Sequence, residues 1–187
     1  LDLNQLAEGK DYLYLGSYEI SPNGNLMAYT LDEKGNERYI LRIKDLSTGN
    51  IFDEAIENAA TSLAWADDNK TLFYLTRDDA WRTNCLYRHA LGTDAGGDVL
   101  VYEEPDDSFW MGVSRSKSDR FIYLGIGSKV TSEYRFIESS RPLSDFRIIS
   151  PRRQNVEYEV VDQGERFYIL TNDGAVNFKL MSAPLVN

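Results

Sequence analysis

A pattern first seen across residues 18–52 returns three more times along the chain, at a spacing that few architectures share. Tyr18-Glu19-Ile20 alternates and stops at Ser21-Pro22-Asn23-Gly24, where proline presets one backbone angle and glycine accepts a positive φ. Leu26-Met27-Ala28-Tyr29 follows, Lys34-Gly35-Asn36 turns the chain into Tyr39-Ile40-Leu41-Arg42-Ile43, and Ser47-Thr48-Gly49-Asn50 turns it back into Ile51-Phe52. This is a four-stranded meander. The aromatic that ends its second strand recurs as Tyr29, Tyr74, Tyr123 and Tyr168, at intervals of 45, 49 and 45 residues, with Leu124 an alternative anchor in the third unit. A cation in the third strand recurs independently as Arg42, Arg88, Arg135 and Lys179, at intervals of 46, 47 and 44 residues. That period is the length of a four-stranded propeller blade, whereas leucine-rich and TPR-like repeats are shorter.

The expected fold is therefore all-β: a β-propeller fragment of nearly four four-stranded antiparallel blades, covering approximately residues 11–53, 59–104, 108–150 and 155–183. The fourth unit shows only three strands, at 156–160, 166–170 and 177–181, and closed propellers use about four to eight blades. Packing between blades should bury Trp65, Phe73, Phe121, Phe136, Phe167 and Leu180, and a charge at Phe73 should prevent folding. An open array exposes one apolar blade face at each end and leaves the edge 177–181 unpaired, which favours self-association into a homodimer or larger assembly. Residues 11–15 are the one spare strand-like stretch that could cover such an edge.

Composition narrows the function. A net charge of −10 repels a nucleic-acid backbone, and the pair Arg152-Arg153 is too small a patch to reverse that field. No apolar run approaches the roughly 20 residues of a membrane-spanning helix. Cys85 is the single cysteine, so no intrachain disulfide forms and a reducing compartment is expected. The chain opens at Leu1 without a methionine or a signal peptide and reads as a piece of a longer protein.

No residue pattern amounts to a catalytic, cofactor or metal site. Asp67-Asp68-Asn69-Lys70 lacks the alternating carboxylates and the glycine of a calcium loop and reads as a solvated turn. Gly125-Ile126-Gly127-Ser128 lacks the third glycine of a dinucleotide loop, having Val130 in its place, and reads as a turn inside a blade. Glu19, Glu157 and Glu159 are the acidic residues of first strands from which a glycosidase-like carboxylate pair would be drawn, and the second and third units supply no counterpart. The link 77–82, Arg-Asp-Asp-Ala-Trp-Arg, is longer than the other turns and belongs to a rim where partners bind. The repeated cations read as partners of carboxylates on neighbouring strands. His89 reads as a satisfied strand histidine. The chain contains no Gly-x-Ser-x-Gly elbow and no second histidine, so this chain by itself is expected to cleave no peptide. WD40 and Kelch signatures are absent too, although a free-standing interaction scaffold would share the repeats.

Several segments in order, LDLNQLAEG, YEISPNGNLMAYTLDEKGNERYILRIKDLSTG, DNKTLFY, LGTD with DVLVYEE, TSEYR, and GERFYILTN followed by NFKLMSAP, resemble the propeller domain of the oligopeptidase B branch of the prolyl oligopeptidase family of serine peptidases. The resemblance spans nearly the whole chain. It implies a seven-bladed propeller inserted near the N-terminus of a parent whose separate α/β-hydrolase domain carries a Ser-Asp-His triad. It implies cleavage of short peptides after Lys or Arg, in the cytoplasm and without a cofactor, and a propeller that restricts entry to short, flexible chains. The partners so implied are the hydrolase domain of the same parent chain and short basic peptides, and no catalytic residue is carried over to this sequence.

Overall fold

The computed structural model describes residues 1–185, and it is built almost wholly of antiparallel strands. One short helix, α1 (Leu3–Ala7), is capped by the Asp2 side chain, and the strands follow as β1 (Tyr14–Ile20), β2 (Leu26–Asp32), β3 (Tyr39–Asp45), β4 (Ile51–Trp65), β5 (Thr71–Arg77), β6 (Thr83–Ala90) and β7 (Val99–Glu103). Then come β8 (Trp110–Arg115), β9 (Phe121–Gly127), β10 (Ser132–Glu138), β11 (Arg147–Ser150), β12 (Tyr158–Gln163), β13 (Arg166–Thr171) and β14 (Lys179–Pro184). They form a seven-stranded sheet in the order β1 to β7, a four-stranded sheet β11-β10-β9-β8, and a three-stranded sheet β12-β13-β14.

The seven-stranded sheet corrects the expected boundary between the first two units. The fourth strand does not stop near Phe52; β4 runs unbroken for 15 residues, pairing first with β3 (Ile56 opposite Leu41) and then with β5 (Leu63 opposite Tyr74). The cause is local. Ile51 to Trp65 holds neither proline nor glycine, and a left-handed Asn58 with a register shift before Leu63 bends the strand without ending it. The later connections contain Pro105 and Pro151, which lack the N–H that a continuing ladder needs, and there the sheets separate.

Separated sheets are joined by hydroxyls. Thr83 Oγ1 donates to the Met111 carbonyl at 2.7 Å and accepts from the Met111 N–H at 2.9 Å. Ser132 treats Tyr158 in the same way, at 2.8 and 2.6 Å, and Ser62 treats Val113 at 2.6 and 2.8 Å. Each hydroxyl thus satisfies both backbone groups of one residue in the first strand of the following sheet, groups that would cost roughly 1–3 kcal/mol each if buried unpaired.

The core lies between successive sheet faces. Ala28, Leu41 and Ile43 meet Leu63, Trp65, Leu72 and Tyr74; Phe73, Leu75 and Leu86 meet Met111, Val113, Ile122, Leu124 and Ile137; Phe121, Tyr123 and Phe136 meet Val160 and Phe167. Because β2, β5 and β9 are covered on both faces, they read as continuous apolar runs rather than alternating ones. Trp65, Phe73, Phe121, Phe136 and Phe167 are buried as expected, with Phe136 edge-on to Phe167 at 5.0 Å and to Phe121 at 5.4 Å.

Leu180 is a correction. It is 69% exposed, on the outward face of the last sheet with Val161 and Leu170, because that face meets no further sheet among the described residues. The repeat anchors need correction as well. Turns closed by Ser21 to Leu26, Ala66 to Thr71 and Ser116 to Phe121 align Tyr29 and Tyr74 with Leu124, and all three face the preceding layer. Tyr123 and Tyr168 point the other way, since one residue's offset in a strand changes the face.

At the other end of the array, residues 11–15 are not spare. Tyr14 and Leu15 open β1 opposite Asp32 and Leu31, and Leu6, Leu13 and Leu15 cover Met27, Tyr29 and Leu31. In the last unit the expected strand 177–181 begins instead at Lys179, because Phe178 is left-handed (φ 62°) and belongs to the turn.

Candidate functional site

Polar groups tie the units to one another along both edges: on one by Asn23, Asp67, Arg115, Ser118 and Arg120 near the β1–β2, β4–β5, β8–β9 and β12–β13 turns, and on the other by the β2–β3, β5–β6, β9–β10 and β13–β14 hairpin tips and the proline-containing connections 104–109 and 151–157. The tip at 78–82 is wound around Asp78, which accepts from the N–H groups of Ala80 and Arg82 and from Arg82 Nε, all at 2.9 Å. Burial opposes the charge on Asp78, but these donors outweigh it and hold the carboxyl below its usual range. Arg82 continues to the carbonyls of Glu104 and Asp106 at 3.2 and 2.6 Å. Trp81 projects from this tip with a left-handed backbone (φ 61°); its Nε1 donates to the Asn36 carbonyl at 3.0 Å, and the Arg38 guanidinium lies 5.2 Å from its ring. The link at 77–82 thus bridges two tips.

Below the tips lies a buried charge cluster. Arg152 Nη2 meets Glu104 Oε2 at 2.5 Å, Arg152 Nε lies 3.4 Å from Glu133 Oε2, and Arg135 Nε meets Glu133 Oε1 at 2.8 Å. Both carboxylate side chains are almost fully buried, at 1% and 5% exposure. Arg152 also stacks 4.2 Å above the Phe109 ring, and Arg135 lies 4.2 Å above Tyr102, whose hydroxyl donates to Glu104 at 3.1 Å. Burial alone would lift the Glu104 carboxyl, yet Arg152, the Asp106 N–H and the Tyr102 hydroxyl together hold it below its ordinary value. The cluster locks the 151–157 connection to the end of β7.

The residues singled out in the sequence fall elsewhere. His89 is fully buried between the first two units, its Nδ1 2.8 Å from Asp98 Oδ1 and its Nε2 3.8 Å from Glu54. The Tyr74 hydroxyl donates to the other Asp98 oxygen at 2.8 Å, and burial followed by this carboxylate pushes the Tyr74 phenol far above its usual range. Among the described residues no serine or cysteine hydrogen-bonds to His89, so the group holds no nucleophile.

Asp68 caps its own turn by accepting from Lys70 and Thr71, while Asp67 pairs with Arg115. Gly125 and Gly127 are strand residues of β9 rather than a turn, and Gly125 leaves room for the Tyr134 ring. Glu19 lies in β1 opposite Ala28, Glu159 in β12 opposite Leu170, and Glu157 beside the Asn172 amide, three separate settings. Cys85 sits half-buried in β6, and burial raises its thiol. Of the repeated cations only Arg135 has a carboxylate partner among the described residues, and Glu133 belongs to the same strand; Arg88 donates instead to the Pro142 carbonyl at 3.1 Å. Among the described residues no group of three potential ligands could hold a metal, and no helix is long and apolar enough to cross a membrane.

The Glu104–Arg152–Glu133 cluster went unread in the sequence. Its signal is the pair of proline-containing connections with opposite charge, Glu103-Glu104-Pro105-Asp106-Asp107 and Pro151-Arg152-Arg153.

Comparison with known proteins places this geometry. The family described as "Prolyl oligopeptidase, N-terminal beta-propeller domain" matches residues 1–187. Dipeptidyl aminopeptidase BI of Pseudoxanthomonas mexicana is 44% identical over 98% of this chain and 26% of its own length. The structure of oligopeptidase B from Leishmania major superposes with a TM-score of 0.93 at 30% identity, over 98% of this chain and 26% of that one. Oligopeptidase B from Trypanosoma brucei, in a closed form with covalently bound antipain, gives 0.89 at 29% identity with the same coverage. The chain therefore spans about a quarter of the length of these relatives.

Proposed function

The chain belongs to the prolyl oligopeptidase family, as its N-terminal β-propeller domain, and on that premise we propose that it is the non-catalytic, substrate-restricting part of a serine oligopeptidase. The observation that carries the reading is the match of the propeller family over residues 1–187, in relatives nearly four times as long. Each unit of the repeat is one blade, with the first boundary falling inside β4 and the later units at approximately 108–150 and 155–183, and these nearly four blades are part of a larger ring. A separate α/β-hydrolase domain of the parent supplies the triad, and the propeller admits only short, flexible peptides to it. Cleavage after Lys or Arg is the first specificity to test, because the two oligopeptidase B structures match nearly the whole chain. Release of dipeptides from amino termini is the second, favoured by the 44% identity to a dipeptidyl aminopeptidase. A cytoplasmic setting belongs to the same reading, motivated by the lone Cys85 and checked by fractionating cells that express the parent.

The test compares three proteins. The parent should cleave fluorogenic peptides after Arg or Lys and leave folded proteins intact; the 187-residue chain should cleave neither and take no organophosphonate label; the parent stripped of its propeller should begin to nick folded proteins. A parent without serine-peptidase activity, or one whose protein exclusion survives loss of the propeller, overturns the proposal.

The exposed face of the last sheet has its own consequence. Val161, Leu170 and Leu180 are 53%, 43% and 69% exposed, whereas on the outer face of the first sheet the N-terminal leucines cover Met27, Tyr29 and Leu31 and leave Tyr18 and Ile20 exposed. Self-association of the isolated chain is therefore expected to use the last sheet, giving dimers whose stability depends little on salt. Sedimentation across a concentration series should show species above 21.4 kDa, and L170K/L180K should restore the monomer; a wild-type monomer at high micromolar concentration refutes it.

A further inference from the structure

Three buried side-chain atoms have no hydrogen-bond partner among the described residues: Tyr29 Oη, Arg77 Nε and His89 Nε2. The first lies under the N-terminal leucines, and the second belongs to a guanidinium already bonded to Glu37 through Nη1. His89 Nε2 faces a carboxylate instead: Glu54 Oε1 stands 3.8 Å away, too far for a hydrogen bond and close enough for a charge to act. The imidazole is wholly buried, and it is the one histidine of the chain.

The ring is held from two sides. On the first, Nδ1 lies 2.8 Å from Asp98 Oδ1, and since a carboxylate oxygen only accepts, Nδ1 carries the proton of that bond. Asp98 is fixed in turn by the Tyr74 hydroxyl of β5, and the Tyr74 ring stacks on Tyr87 of β6; burial raises both phenols, so both stay uncharged. On the second side Glu54, in the half of β4 that pairs with β3, accepts from the Gly92 N–H at 3.0 Å, which anchors it to the connection after β6. Among the described residues no lysine or arginine pairs with Glu54 or Asp98. Arg42 and Lys44 stand on the other face of β3 with Tyr29 and Met27, Arg88 faces Phe73 across β6, Asp53 and Glu57 alternate to the solvent side of β4, and Asp94 turns back to the Gly96 N–H.

We propose that Glu54, His89 and Asp98 form a proton-operated latch across the bend of β4. With a proton on Nε2 the imidazolium bridges two carboxylates from different units, one on the outer half of β4 and one in the 91–98 connection. Without that proton a ring lone pair faces a carboxylate oxygen, and neither has a donor to offer. The bend makes this contact adjustable: β4 turns at left-handed Asn58, between Glu54 and the Leu63 that pairs with β5, so the gap from Glu54 to His89 follows how tightly the first unit closes on the second. Histidine is the side chain that ordinarily changes charge between about pH 5 and 8. Because the closed form gains a contact by holding the proton, closing is favoured in acid and is lost as the pH rises through that range. The latch lies wholly within this chain and needs no peptidase activity.

Hydrogen exchange of the full-length parent tests the latch, read by mass spectrometry at about pH 6 and about pH 8 and corrected for the intrinsic pH dependence of amide exchange. Peptides covering 51–58 and 89–98 should lose protection by roughly tenfold between the two, the scale of one linked proton, whereas a peptide covering 121–127 in the four-stranded sheet should not change. E54Q keeps the size of the side chain and an oxygen for the Gly92 N–H but removes the charge that faces Nε2, so its profile should be flat. D98N, which removes the other carboxylate, replaces E54Q if that variant folds poorly, and it should flatten the profile in the same way. A flat wild-type profile, a loss of protection shared by 121–127, or a carboxylate variant that keeps the wild-type dependence overturns the latch.

Discussion

Arg152→Ala should lower the stability of this chain by about 3 kcal/mol, the low end of what breaking a buried ion pair costs because Arg152 itself retains some exposure. Against a typical net stability of about 5–15 kcal/mol that is a large fraction, and it should appear as a Tm lower by roughly 6–12 °C for a chain of this size. The loss arises from what is left behind. Glu104 and Glu133 are almost fully buried, and Arg152 is the one cation that touches both.

The pH dependence separates this cause from simple loss of packing on Phe109. In the wild type the Glu104 carboxyl lies below its ordinary value of 4.5, so its contribution is present above that value and fades as pH falls through the depressed one. In the variant, burial without the cation raises the same carboxyl, and a raised acid makes the folded state gain relative to the unfolded one on acidification. The two stability curves should therefore converge between neutral pH and about pH 5. Denaturant midpoints at three pH values measure this, and parallel curves would show that the cluster is not electrostatic in its effect. A second variant, R152A/E104Q, should recover part of the loss by removing the charge left without a cation, since Glu133 keeps Arg135.

Phe73→Lys should abolish folding. Phe73 is fully buried between the seven-stranded and four-stranded sheets, edge-on to Phe146 at 5.7 Å. Removing the ring alone costs about 3–5 kcal/mol, and an unpaired ammonium adds a desolvation penalty of several kcal/mol, so the sum reaches or exceeds the net stability. Lysine is the decisive choice because Arg88 stands opposite Phe73 in the β5–β6 register. An aspartate there would meet a ready counter-charge, and a lysine meets a like one. Phe73→Leu, which keeps the site apolar, should fold with a modest loss. Near-UV circular dichroism and amide dispersion read the outcome, and a dispersed, cooperatively melting Phe73→Lys protein would mean that the packing of the seven-stranded sheet on the four-stranded one does not depend on this contact.

Much of the architecture was legible in order along the chain, because strand alternation and turn chemistry act between near neighbours. Proline and glycine at Ser21-Pro22-Asn23-Gly24, and the later returns of the pattern, sufficed for antiparallel strands and for the burial of Trp65, Phe73, Phe121, Phe136 and Phe167. The candidate site was far less legible. The 77–82 link could be singled out by its length and composition, but the bonds that give it a role, Trp81 to Asn36 and Arg82 to Asp106, join residues 45 and 24 positions apart.

What only the tertiary structure decided has one physical root: a strand has two faces, and local sequence does not say which sheet will cover each. Tyr123 and Leu124 are equally good anchors on paper, and it took the packing of β9 between two sheets to turn Leu124 toward the preceding layer and Tyr123 toward Asp162. Leu180 carries the same apolar character as the buried leucines, yet it is exposed because its face meets no further sheet among the described residues. Which surface the leucines of the N-terminal segment cover was decided only when Met27, Tyr29 and Leu31 presented a face to them. Arg152 and Glu104, 48 positions apart, became a buried pair only when two proline-containing connections were stacked on adjacent sheets. Alternation and turns are short-range and so belong to the sequence alone; the covering of a face and the pairing of a buried charge are long-range, and they exist only once the sheets have packed.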